Sequence, residues 1–176
     1  MKLLDRTFSF FCATIILISF AILSNQNLIL SDDFNLLILR EVDDYAFQIV
    51  LRNIHSDLEN FKFVKLITSS NYGYGAIFWF INSLTTFPFY LAGFDNVVIA
   101  LPRYISQIFG FLAVFFVYKI STQFTSKKII SYSVATILVL QPIFAYACLR
   151  FHSHSQVLFF STASFYFLVL SSQQEN

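Results

Sequence analysis

Two polar clusters stand out in this otherwise apolar chain as places where chemistry can be done. The first is the acidic pair Asp43-Asp44 in "REVDDYAF", about a dozen residues after a long apolar segment. Two carboxylates beside a bilayer surface have three uses. They can cap a helix and match its dipole, with Asp43 as N-cap and Asp44 in the first turn. They can hold a hard divalent cation, Mg or Mn, that in turn holds a phosphate. Or one can take the proton of an acceptor hydroxyl while the other stays ionised. The dipeptide alone leaves all three open. The second cluster is Arg150, His152 and His154 in "CLRFHSHSQ". Arginine presents a planar fork suited to phosphate. The histidines, two residues apart, face away from each other on a helix but can converge in a loop, as ligand-binding or metal-binding groups. The alternative is that all three are interfacial anchors where a span ends. A third candidate is Tyr72 in "NYGYG", whose glycines either let backbone approach a ligand or simply turn the chain.

The elements that carry these residues belong to a membrane. Of the 176 residues, 57% are hydrophobic, 19% aromatic and 12% charged, too apolar for a soluble domain of this length. The net charge of +1 offers no basic face, and there is no run of like charges, so nucleic acid is excluded as a partner. Cys12 and Cys148 both lie in apolar runs, where they read as small hydrophobes rather than a disulfide framework.

Uncharged runs from Thr7 to Ser31, Leu66 to Phe94 and Ile129 to Leu149 each reach the ~20 residues that cross a hydrocarbon core. The fold class expected is all-α integral membrane, with about four transmembrane helices, an amphipathic surface helix, and an in-plane or re-entrant helix in the first outer loop. In residue ranges, 7–30 is the first span, uncleaved because its exit has no small-x-small site. An outer loop at 31–71 holds an amphipathic helix over 43–61, whose apolar face is Val42, Tyr45, Ala46, Ile49, Val50, Ile54, Leu58 and Phe61. Its polar face is Asp44, Gln48, Arg52, His55, Glu59 and Lys62. The segment 72–94 is in-plane or spanning, and spans follow at 97–119, 129–149 and 156–171. Pro142 predicts a bend late in the 129–149 span, and Arg103 reads as a snorkelling anchor. If 72–94 does not cross, Lys119, Lys127 and Lys128 fall on the inner side with Lys2 and Arg6, as short-loop charge bias favours.

Taken in order, the first span, "EVDDYAFQIVLRNI", "NYGYGAIFWFINSL", "LPRYISQIFGFLAVFFVYKI" and "ATILVLQPIFAYACLRFHSHSQVLFF" resemble the N-terminal module of the C-type superfamily of polytopic membrane glycosyltransferases. That superfamily includes protein mannosyltransferases, aminoarabinose transferases and oligosaccharyltransferase catalytic subunits. The resemblance implies transfer of a sugar from a polyprenyl-phosphate carrier on the outer face of the membrane, with Asp43 or Asp44 as base or metal ligand and Arg150 near the carrier phosphate. Where many members carry a second acidic residue beyond that arginine, this chain has His152, His154 and Gln156, and no Asp or Glu before Glu175. Members of the superfamily have eight or more spans, so the resemblance implies a truncated or split product, inactive alone, with a partner chain supplying the missing spans. A bacterial inner membrane is the expected location, since the outer loop has no N-x-Ser/Thr sequon. The alternative function is a small non-catalytic membrane protein that serves as an assembly or binding partner. A transporter subunit is a weaker third reading, because repeats with broken helices are not apparent.

Overall fold

The computed structural model describes residues 2–30, 42–62, 65 and 75–174, and every regular element among them is an α-helix. This is an all-α integral membrane protein: three of its helices are long and apolar enough to cross a bilayer, and a bent pair supplies a fourth crossing if counted as one. In chain order the helices are α1 (Lys2–Leu30), α2 (Val42–Glu59), α3 (Ala76–Leu91), α4 (Asp95–Phe124), α5 (Lys128–Val139), α6 (Pro142–Leu149) and α7 (His154–Gln174).

Helix α4 is the hub and touches α1, α3, α5, α6 and α7. Side-chain pairs give the directions. Ser24 Oγ donates to Gln107 Oε1 at 2.9 Å, and the Phe20 ring meets Phe111 edge-on at 5.2 Å, so α1 and α4 run antiparallel. Phe109 meets Phe159, and Phe116 meets Tyr166, so α4 and α7 run parallel. Tyr118 against Tyr132 closes an α4–α5 hairpin. The chain therefore enters α4 from the end at which it left α1. One end of the bundle holds α2 and α3. The other holds the α4–α5 turn with Lys119, Lys127 and Lys128, level with the start of α1, where Lys2 and Arg6 stand in the sequence. Lysines in a short connecting turn at one end fit the charge-bias rule, although Arg52, Lys62, Lys65 and Arg150 stand at the end that holds α2.

Helix α3 is built inside out. At 16 residues it is ~24 Å long, short of a ~30 Å hydrocarbon core. Its outer stripe is Ile77, Phe80, Leu84 and Leu91, while its buried face mixes Phe78 and Trp79 with Asn82, Ser83 and Thr86. The hydroxyls of Thr85 and Thr86 donate back to the carbonyls of Ile81 and Asn82, which keeps them satisfied inside an apolar setting. The helix ends in a Schellman turn: Phe94 N–H donates to Phe89 O and Gly93 N–H to Tyr90 O. Gly93, at φ 75, supplies the left-handed residue that lets α4 start at once.

The expected single span over 129–149 is two helices. Proline forces the residue before it out of helical geometry, and Gln141 is extended at φ −71, ψ 126, so α5 stops at Val139 and α6 leaves at 67°. Helix α6 crosses α4 at Gly110, where a Cβ would strike Cys148 Sγ. Both cysteines are buried and unbridged, as their apolar contexts predict. The span expected at 97–119 extends to Asp95–Phe124, and the one at 156–171 to His154–Gln174.

Helix α2 forms where periodicity places it, but its buried face is a different one. Gln48 and His55, expected on the polar side, are fully buried with Phe47, Leu51 and Ile54; Ile49, expected on the apolar side, is exposed. The reason is the surface offered by α3 and α4. Gln48 Nε2 donates to Ile99 O at 3.3 Å, and His55 meets Thr86, so these polar groups go inward to partners. The helix already includes Val42, which puts Asp43 in the first turn and corrects its reading as the N-cap. It closes on Phe61 at φ 55, with Lys62 N–H donating to Asp57 O.

Candidate functional site

The two polar clusters of the sequence lie on segments that meet at one corner of the bundle. The meeting point is Phe47. Its ring stacks on Trp79 at 5.4 Å, takes Phe78 and Phe151 edge-on at 5.6 Å, and lies 4.9 Å from the His152 ring. Phe47, Leu51, Ile54, Phe78, Trp79 and Phe151 form a buried core of their own, separate from the core between α1 and α4–α6. Burying five aromatic or aliphatic side chains around Phe47 makes the docking of α2 specific, because aromatic pairs at these distances favour edge-on and offset geometries.

Asp43 and Asp44 stand four and three residues before Phe47 on the same helix, within ~6 Å along its axis. Their side chains, and the whole of Tyr72, lie outside the described residues. The structure thus brings the backbone carrying the acidic pair to the segment carrying Arg150, His152 and His154, through Phe47 to Phe151 and His152.

That segment is a tight turn between α6 and α7. Arg150 is extended, His152 N–H donates to Arg150 O at 2.9 Å, and α7 begins at His154. The turn lets residues two apart converge, and the His152 and His154 rings stack at 3.8 Å with only 24° between their planes. The Arg150 guanidinium carbon sits over the Tyr146 ring, 3.8 Å from its centre, and the side chain is partly buried.

Stacked imidazoles point their ring nitrogens in nearly parallel planes, so the pair does not converge on one ion. Among the described residues no three of His, Cys, Asp and Glu gather as a metal centre.

Arg103 is not a snorkelling anchor. It is 1% exposed, and the parallel register of α4 and α7 sets it level with Ser153, among buried Ser106, Gln107, Ser155 and Gln156. A charged side chain inside a membrane bundle is expensive and marks a functional interior more often than a surface.

Sequence reasoning missed Phe47, Phe151 and His55. Phe151 carried a weak signal, lying between Arg150 and His152 inside a polar cluster, whereas Tyr45 stands nearer the acidic pair than Phe47 does. His55 carried none, because a helical wheel assigns it to water. Its Nε2 lies 2.9 Å from Thr86 Oγ1, whose own proton goes to Asn82 O at 2.6 Å, so Nε2 carries the hydrogen. Burial pushes the His55 pKa down from 6.5 to about 4, opposed by the Ser83 carbonyl and helped by the Arg52 charge.

No family model, no curated protein and no solved structure matches this chain. The fold class rests on the helices themselves.

Proposed function

We propose that the chain acts as the N-terminal module of a C-type membrane glycosyltransferase, moving a sugar from a polyprenyl-phosphate carrier to an acceptor on the outer face of a bacterial inner membrane. The observation that supports this reading is the Phe47 junction, which ties the helix carrying the acidic pair to the Arg150–His154 turn at the end of the bundle opposite Lys119, Lys127 and Lys128. In this reading Asp43 or Asp44 accepts the proton of the acceptor hydroxyl as its oxygen attacks the anomeric carbon. The bond from that carbon to the carrier phosphate breaks, and its electron pair leaves with the phosphate, whose charge Arg150 faces. His152, His154 and Tyr72 line the donor. A divalent cation, if used, sits on the two carboxylates, and a partner chain supplies any further wall of the carrier cavity.

The test is the Asp43→Asn/Asp44→Asn double variant in native membranes, with transfer of labelled sugar from a polyprenyl-phosphate donor as readout. Loss of general-base help predicts a fall on the order of a hundredfold or more, with protein level unchanged. Transfer at the native rate removes the assignment. A second reading, a non-catalytic assembly partner, draws on the apolar outer faces of α1 and α7, where Phe10, Phe11, Phe167 and Leu168 are each well over half exposed. It predicts a membrane complex that survives the same double substitution.

A further inference from the structure

The core between α1, α4 and α5 contains a cavity of about 350 Å³, at the small end of the ~300–1,000 Å³ usual for ligand sites. Its walls are Ala13 and Leu17 of α1, Phe115 of α4 and Ala135 of α5, and the Tyr118 and Tyr132 rings, 4.8 Å apart, stand at its α4–α5 end. All three wall helices belong to membrane-crossing elements, so the surroundings of the crevice are lipid.

The Tyr118–Tyr132 end is also the basic end. Lys119 Nζ sits 5.7 Å from the centre of the Phe115 ring, over a wall of the crevice. Lys128 is four residues before Tyr132 on α5, so it lies one turn, ~6 Å, beyond that ring on the same helix face. Lys127 adjoins it and both are exposed. No Asp or Glu occurs from 96 to 174, so the single carboxylate on α4 to α7 is Asp95 at the far end of α4, and among the described residues Asp5 of α1 is the acidic position that the register brings to this end. Cations above an apolar slot match one kind of occupant in a membrane.

We propose that this crevice holds an acyl chain of an anionic glycerophospholipid, its phosphate at Lys119, Lys127 and Lys128 and its ester region at Tyr118 and Tyr132. The site is independent of the transfer reading, since it lies at the opposite end of the bundle from Asp43, Asp44 and Arg150. It ties the α4–α5 hairpin to α1 and selects membranes with a negative inner leaflet.

The test uses the full chain purified in detergent, exchanged into micelles doped with dioleoyl phosphatidylglycerol or dioleoyl phosphatidylcholine, and weighed by native mass spectrometry. One phosphatidylglycerol should be retained, about tenfold in preference to phosphatidylcholine, because each lysine near an anionic surface is worth on the order of fivefold in binding, less what screening removes. Lys127→Gln/Lys128→Gln, at exposed positions that leave the fold intact, should bring phosphatidylglycerol down towards the phosphatidylcholine level. Ala135→Phe should exclude both lipids while helicity stays unchanged. Equal retention of the two lipids by the native chain overturns the proposal. So does a dimer that Ala135→Phe disperses in place of bound lipid, and so does displacement of the bound lipid by millimolar inorganic phosphate.

Discussion

Acidification should undock α2 from α3, and His55 sets both the size and the pH of the effect. Docked, the ring is fully buried between α2 and α3, with Phe87 and Tyr90 at 5.9 and 4.9 Å, and its pKa lies at about 4. Undocked, it returns to about 6.5. Above pH 6.5 both states are neutral and the difference contributes nothing. As pH falls from 6.5 to 4 the undocked state takes a proton that the docked state refuses, so docking weakens by ~1.4 kcal/mol per pH unit, reaching on the order of 3 kcal/mol before levelling off. The surroundings that face the ring are Arg52 on its own helix and Tyr90 with the Thr86 hydroxyl on α3; the Arg52–Asp95 pair, 2.9 Å, spans the same region. Trp79, the chain's single tryptophan, reports the event directly, because it is 3% exposed and stacked on Phe47 across the same interface. Its emission should shift to the red between pH 6.5 and 4 in the native chain. In His55→Gln, which keeps a neutral donor but cannot charge, the shift should be absent in that window, while Asp95→Asn should leave it in place. An unmoved Trp79 spectrum down to pH 4 in the native chain, or the same transition in His55→Gln, refutes the reasoning.

Two further perturbations follow from the packing. Gly110→Ala should destabilise the bundle by ~1–3 kcal/mol, since the new methyl collides with Cys148 Sγ and the gain in helix propensity is smaller than the overpacking cost. Adding Cys148→Gly should recover most of that loss in a double-mutant cycle read by thermal unfolding in detergent, and independent effects would show that α6 does not cross at Gly110. Asp95→Ala should cost under ~1 kcal/mol in the same assay, because the Arg52–Asp95 pair is exposed on the Asp95 side and screened by salt. A cost of several kcal/mol would mean that the pair is shielded from water in the membrane.

Much of the architecture was legible in the sequence because spanning helices announce themselves by length and charge exclusion. The first span, the helix near 43–61 and the interruption at Pro142 are all features of local composition. What was not legible is which way each helix faces. A helical wheel assumes that apolar means inside, and this chain follows that rule only in part. Gln48, His55, Asn82, Thr86, Arg103, Ser106, Gln107 and Gln156 are buried, while Phe10, Ile77, Phe80, Leu84 and Phe167 are exposed. In lipid the apolar exterior costs nothing, so the interior is free to hold polar groups wherever partners exist. Asn82 and Thr86 bond to carbonyls of their own helix, but other partners come from across the bundle: Ile99 O for Gln48, Thr86 for His55, Gln107 for Ser24. Periodicity along one segment cannot see them.

The same inversion explains why the acidic pair and the arginine–histidine turn were recognisable singly but not as one corner. Nothing in "REVDDYAF" points to "CLRFHSHSQ" more than a hundred residues later. The link is the break before Pro142. A straight helix through 129–149 would carry Arg150 on along the axis of α5, whereas the 67° turn lays α6 across α4 at Gly110 and brings Phe151 into the Phe47 core. The polar corner is thus a product of the broken span: the proline that interrupts the helix and the glycine that admits it decide where Arg150 and the histidines end up. A substitution at Gly110, which packs on Cys148 two residues before Arg150, should therefore move Arg150 relative to α2 and, on the transferase reading proposed above, lower transfer along with stability.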